Sequence, residues 1–100
     1  MIKHIVLWKL KEEAEGRSKK ENAFELKNRL EALKDKISGI LELEVGLPLE
    51  TGETVLDVAL YSAFKDKAAL AAYQVHPEHQ KVASFVKQIV AERRVVDYEV

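Results

Sequence analysis

Residues 2–10, Ile-Lys-His-Ile-Val-Leu-Trp-Lys-Leu, alternate with the period of an extended strand. Ile2, His4, Val6, Trp8 and Leu10 share one face, and Ile5 and Leu7 the other. Apolar groups on both faces predict a strand sandwiched between two layers. Residues 18–37 change to helical spacing, with Ala23, Leu26, Leu30, Leu33 and Ile37 in one stripe. Ser18 and Glu21 stand at the capping-box offset, Glu25 and Arg29 at i,i+4, and Gly39 where a C′ glycine belongs.

Residues 40–47 alternate again, predicting an edge strand with Ile40, Glu42 and Glu44 on one face. Leu41, Leu43, Val45 and Leu47 then share the other. Pro48 stops it, and residues 50–53 around Gly52 make a turn. Val55 to Phe64 predicts a third strand, with Val58, Leu60, Ser62 and Phe64 on one side and Asp57, Ala59, Tyr61 and Ala63 on the other. Asp66 caps a short helix carrying Leu70 and Tyr73 inward. Pro77 starts another, with Val82, Phe85, Val86 and Ile89 as its stripe. Residues 94–100 predict the last strand, with Val95, Asp97 and Glu99 opposite Val96, Tyr98 and Val100.

The order β-α-β-β-α-β is the split βαβ, or ferredoxin-like, pattern: an α+β fold with an antiparallel sheet. Crossovers of one hand put both helical layers on one side of that sheet. The other side then exposes Ile5, Leu7, Ala59, Tyr61, Val96, Tyr98 and Val100, more apolar surface than a monomer ordinarily shows. A homodimer joined through this face, at Ile5, Leu7, Tyr61, Val96 and Tyr98, is the expected cover.

The chain's 100 residues fit one domain, residues 1–100. Sixteen basic and seventeen acidic side chains give a net charge of -1, with no basic stripe, so no nucleic-acid partner is expected. The longest apolar run is Ile5–Trp8, far short of a membrane span, and the expected setting is soluble and cytoplasmic. With no cysteine there is no disulfide, thiol nucleophile or thiolate metal site. No phosphate loop or dinucleotide fingerprint occurs, so no cofactor is expected. His76 and His79 stand at i,i+3, but the sequence places no third ligand, and no metal site is expected.

The remaining chemistry gathers in one place. The topology makes the first and last strands neighbours, which brings His4 near Asp97. Tyr73 and His79 then lie above them on the helical layer, under a lid of Trp8, Phe24, Leu60 and Phe85. Val6 belongs to the same face. An imidazole exchanges protons near neutral pH, and a phenol donates to an oxygen gaining charge. The same residues also fit a satisfied His–Asp pair and a core tyrosine, and spacing alone favours that structural role. A cavity of about 300 Å³ or more beside His79 would favour binding or catalysis; space filled by Trp8, Phe24 and Phe85 would favour structure.

The opening residues 1–11, Leu43-Glu44-Val45-Gly46, residues 57–62, residues 72–82 with Tyr73-x-x-His76-Pro77-x-His79, and Val95-Val96-Asp97-Tyr98-Glu99 resemble the stress-responsive A/B-barrel (Dabb) family over essentially the whole chain. The resemblance implies a dimeric α/β barrel made of two ferredoxin-like halves. In a cyclase branch of similar fold, the positions matching Tyr73 and His79 serve an aldol-type ring closure, and the one matching His4 lines the pocket. Ala23 and Lys27 stand where that branch carries aromatic lining. Two functions follow: a stress-associated barrel, in keeping with the family, that binds a small carbonyl or phenolic compound, or a cofactor-independent cyclase, isomerase or monooxygenase-like enzyme. In either, Tyr73 and His79 are the catalytic candidates, and His4, Val6, Trp8, Phe24, Leu60 and Asp97 line the ligand site.

Overall fold

The computed structural model describes residues 1–100. The elements are β1 (Ile2–Leu10), β2 (Glu13–Ala14), β3 (Arg17–Ser18), α1 (Lys19–Lys36), β4 (Ile40–Gly46), β5 (Val58–Phe64), α2 (Lys67–Val75), α3 (Pro77–Ile89) and β6 (Val90–Glu99). Four strands form one antiparallel sheet in the order β4-β5-β1-β6. β1 lies inside that sheet, as its two apolar faces require. Ile2, His4, Val6, Trp8 and Leu10 are all buried, and the residues between them are only half-buried. The helices cover the first set alone. Leu26, Leu30 and Leu33 of α1 meet Val6, Leu60, Phe64, Tyr73, Val82 and Ile89 in one core. Each fully buried leucine contributes about 1.5–3 kcal/mol.

The Ser18 and Glu21 side chains close both halves of the capping box. Five local features differ from the sequence pattern. A two-residue hairpin joins β2 to β3, with Glu15 and Gly16 at φ 54 and 73, the paired positive φ of a type I′ turn. The buried Asn22 side chain donates to Ala14 O at 3.0 Å and ties this hairpin to α1. Helix α1 ends at its C-cap Ile37, so Gly39, at φ 94, serves the turn into β4 one position beyond C′.

In β4 the register slips between Ile40 and Glu42: Ile40 faces Phe64 and Glu42 faces Ala63. Leu41 is the extra residue of this bulge and stands exposed, while Ile40 packs on the core, the reverse of simple alternation. The last strand begins at Val90, four residues earlier than its pattern predicts.

The third strand begins at Val58, because Asp57 has another task. Its buried Oδ2 accepts the Leu10 N–H at 2.8 Å where β1 leaves the ladder. Asp57→Ala strands that donor and is expected to lower stability by about 1–3 kcal/mol, read as a fall in urea midpoint at unchanged slope. Asp57→Asn keeps an acceptor and should retain most of the difference.

Candidate functional site

The site lies between β1 and the broken helix α2–α3. Tyr73 occupies the last turn of α2. His76 then adopts φ −62 and ψ 136, extended as a residue before proline prefers, and Pro77 takes the first turn of α3. The His76 Nδ1 accepts the Glu78 N–H at 3.1 Å, so this imidazole serves as a helix cap. The break swings His79 back against Tyr73, with ring centroids 4.5 Å apart. Phe64 flanks Tyr73 at 5.0 Å and His4 lies at 6.3 Å, both centroid to centroid. No three His, Cys, Asp or Glu side chains form a metal-sized group.

His4 and Asp97 are cross-strand partners in the β1–β6 register. His4 Nδ1 lies 2.5 Å from Asp97 Oδ1, and a carboxylate only accepts, so the ring donates there. That leaves Nε2 as the free acceptor of His4. The imidazole is buried, while Asp97 is 42% exposed and stands behind His4.

Above this floor is a cavity of 290 Å³. Its chemistry comes from His4, Trp8, Tyr73, His79, Lys87 and Arg93. Its apolar wall is Val6, Leu30, Leu60, Val82 and Val86. Three buried polar atoms of this lining, Trp8 Nε1, Tyr73 Oη and His79 Nδ1, have no hydrogen-bond partner. Burial pushes the Tyr73 phenol up to about 12, which keeps it protonated and a donor. Burial also holds His79 below its ordinary 6.5, favouring the neutral imidazole. The Gln74 backbone opposes that shift, and the positive charge of Arg93 adds to it. A further depression of 350 Å³ between α1 and α3 is rimmed by Arg29, Lys36, Glu78 and Lys81 and holds none of the unpaired buried atoms.

Tyr73, His79, His4, Val6, Trp8 and Leu60 therefore surround one space, and Asp97 adjoins it through His4. Phe24 does not: it is 55% exposed on α1. At 100° per residue it lies roughly 150° from the centre of the Leu26–Leu30–Leu33 stripe, so a helix burying that stripe turns Phe24 to solvent. Phe85 is also absent from the lining; the Arg29 guanidinium covers its ring at 3.9 Å. Trp8 borders the space without filling it. Lys27 extends to β4, donating to Val45 O at 2.7 Å. Sequence reasoning missed Lys87 and Arg93. Arg93 was legible only through its register partner Trp8, and Lys87 only through its one-turn offset from Ala83.

The stress-responsive A/B barrel domain model matches residues 2–100. The chain belongs to the Dabb family. A dimeric ferredoxin-like protein of unknown function from Bacteroides fragilis is 37% identical at TM-score 0.87, covering 99% of this chain and 95% of its own. A Dabb protein from Mesorhizobium loti is 24% identical at TM-score 0.68, covering 99% and 95%. The hydroxynitrile lyase of Passiflora edulis shares the fold at 16% identity and TM-score 0.79, covering 99% and 92%. No curated protein matches the chain in sequence. The ferredoxin-like α+β reading of the sequence and its Dabb resemblance thus both hold.

Proposed function

We propose that this Dabb protein is a homodimer whose subunits each bind a small carbonyl or phenolic compound in the helix–sheet cavity. One observation carries the reading: the lining of a 290 Å³ space includes Trp8, Tyr73 and His79, each with a buried polar atom that has no partner. Each such atom costs about 1–3 kcal/mol when left alone, and a bound oxygen-bearing molecule relieves that cost. His79 is the proton-transfer group and Tyr73 donates to a ligand oxygen. Asp97 orients and polarises His4 beneath them, while Val6, Trp8 and Leu60 hold the apolar body.

The subunits associate through the sheet face of Ile5, Leu7, Tyr61, Val96 and Tyr98. Support comes from the exposure of Val96 and Tyr98 and from the dimeric state of the Bacteroides fragilis relative. No helix is long and apolar enough to cross a membrane, in keeping with a cytoplasmic setting.

A second reading rests on the protonation states. A neutral His79 against a protonated Tyr73 is a base beside a hydrogen-bond donor, a pair that a cofactor-independent cyclase, isomerase or monooxygenase-like enzyme can use.

The test uses 4-hydroxybenzaldehyde, which carries both a phenol and a carbonyl. It is expected to raise the melting temperature of the wild type in proportion to ln(1 + [L]/Kd). Ala83→Phe, which fills the cavity from α3, should abolish that rise while remaining folded. An equal rise in the variant, or none in the wild type, overturns ligand binding here.

A further inference from the structure

The cavity has an asymmetry that the Tyr73–His79 pair does not account for. Its inner end is neutral and its outer end is cationic. Tyr73 and His4 are almost wholly buried, whereas Lys87 and Arg93 are exposed, so the two cations stand at the mouth. Arg93 pairs with Trp8 in the β1–β6 register, which sends both side chains to the helix side of the sheet. Lys87 follows Ala83 by one turn of α3, and both border the same space.

No Asp or Glu lines the cavity. Neither cation takes part in any of the chain's ion pairs. On the same two elements Glu78 is engaged by Lys36 and Lys81, Glu92 by Arg94 and Asp97 by His4, while Glu99 pairs with Ile2 at the other end of β6. Two unpaired cations at the rim of an apolar pocket attract and orient an anion, since low-dielectric walls focus their field. A guanidinium suits the planar, two-oxygen carboxylate in particular.

We infer that the ligand is a small organic carboxylate, its anionic group held at the mouth by Lys87 and Arg93 and its apolar body directed toward Trp8, Tyr73 and His79. This inference rests on the ligand-binding reading above and names the chemical class the cavity takes. It also fixes the direction of binding. The charged end stays near water, where its desolvation is small, and the oxygen-bearing far end reaches the unpaired Tyr73 Oη and His79 Nδ1.

The test compares 4-hydroxybenzoate with 4-hydroxybenzamide, a neutral molecule of nearly the same shape, by titration calorimetry on the wild type, Lys87→Gln and Arg93→Gln. Both substituted residues are exposed, so the variants should fold normally. The carboxylate is expected to bind the wild type about tenfold tighter than the amide or better. Each substitution should remove most of that difference without changing the amide's affinity, and added salt should weaken the carboxylate alone. Equal binding of the two probes, unchanged by either substitution, overturns the carboxylate inference and leaves the cavity as a site for neutral ligands. Binding of neither probe overturns the cavity reading itself.

Discussion

Tyr61→Glu is expected to turn the dimer into a monomer. Tyr61 stands mid-sheet on the face away from the helices, between Ile5 on β1 and Glu44 on β4. Its hydroxyl accepts from Lys3 and lies 3.4 Å from Glu42 Oε2. Ile5 and Leu7 are half-buried here, and Val96 and Tyr98 are 54% and 46% exposed. A second copy laid on this surface would remove them from water. A glutamate at position 61 would then be desolvated beside Glu42 and Glu44, with Lys3 already shared with Glu42. A buried charge without a full partner, close to like charges, costs several kcal/mol. Dimer affinity should fall by about 10²-fold or more, since every 1.4 kcal/mol is tenfold. Sedimentation equilibrium at micromolar concentration reads the outcome. The wild type should sediment at twice the 11.4 kDa chain mass, and the variant near that mass. A wild type that sediments as a monomer sinks the sheet-face dimer.

The second large effect separates site from scaffold. Tyr73→Phe removes a buried hydroxyl that has no partner within the chain. Folding therefore loses no hydrogen bond and sheds a desolvation cost, so the unliganded variant should be as stable as the wild type or more so. Ligand binding should nevertheless weaken, because the donor to the ligand oxygen is gone. His79→Ala removes the ring packed 4.5 Å from Tyr73 and should cost modest stability while abolishing proton transfer. If the cavity supports a reaction, either change should slow it by about 10²-fold or more. Large losses of melting temperature in both variants, with no ligand response in the wild type, would identify a purely structural cluster.

The same histidine predicts a pH dependence. His79 is held below its ordinary 6.5 in the folded chain, so below that pH the unfolded state binds the proton more readily. Stability is then fully present above pH 6.5 and falls as pH drops toward the folded value. His79→Ala should flatten this acid-side loss. Urea midpoints measured across that interval for both proteins decide it, and parallel curves would assign the loss to other groups.

Much of this organisation is written in local residue patterns. Alternation in residues 2–10 assigns His4, Val6 and Trp8 to one face because successive strand side chains point oppositely whatever surrounds them. The Leu26–Leu30–Leu33 stripe and the Ser18–Glu21 box set α1 by contacts within a turn or two, and the Tyr73-x-x-His76-Pro77-x-His79 spacing sets the helix break. The two faces of β1 and the strand order together place His4 beside Asp97. Other features depend on contacts between distant segments. The bulge at Leu41 comes from pairing with β5, and the late start of the third strand from Asp57 meeting Leu10 N–H. Whether Trp8 fills or merely borders the space follows from how far α3 stands off the sheet. The unpaired state of Tyr73 Oη and the grouping of Lys87 with Arg93 follow from that same spacing between layers. Periodicity assigns each side chain a direction; the volume left between helix and sheet, and the partners each polar atom finds there, exist only once the layers have packed.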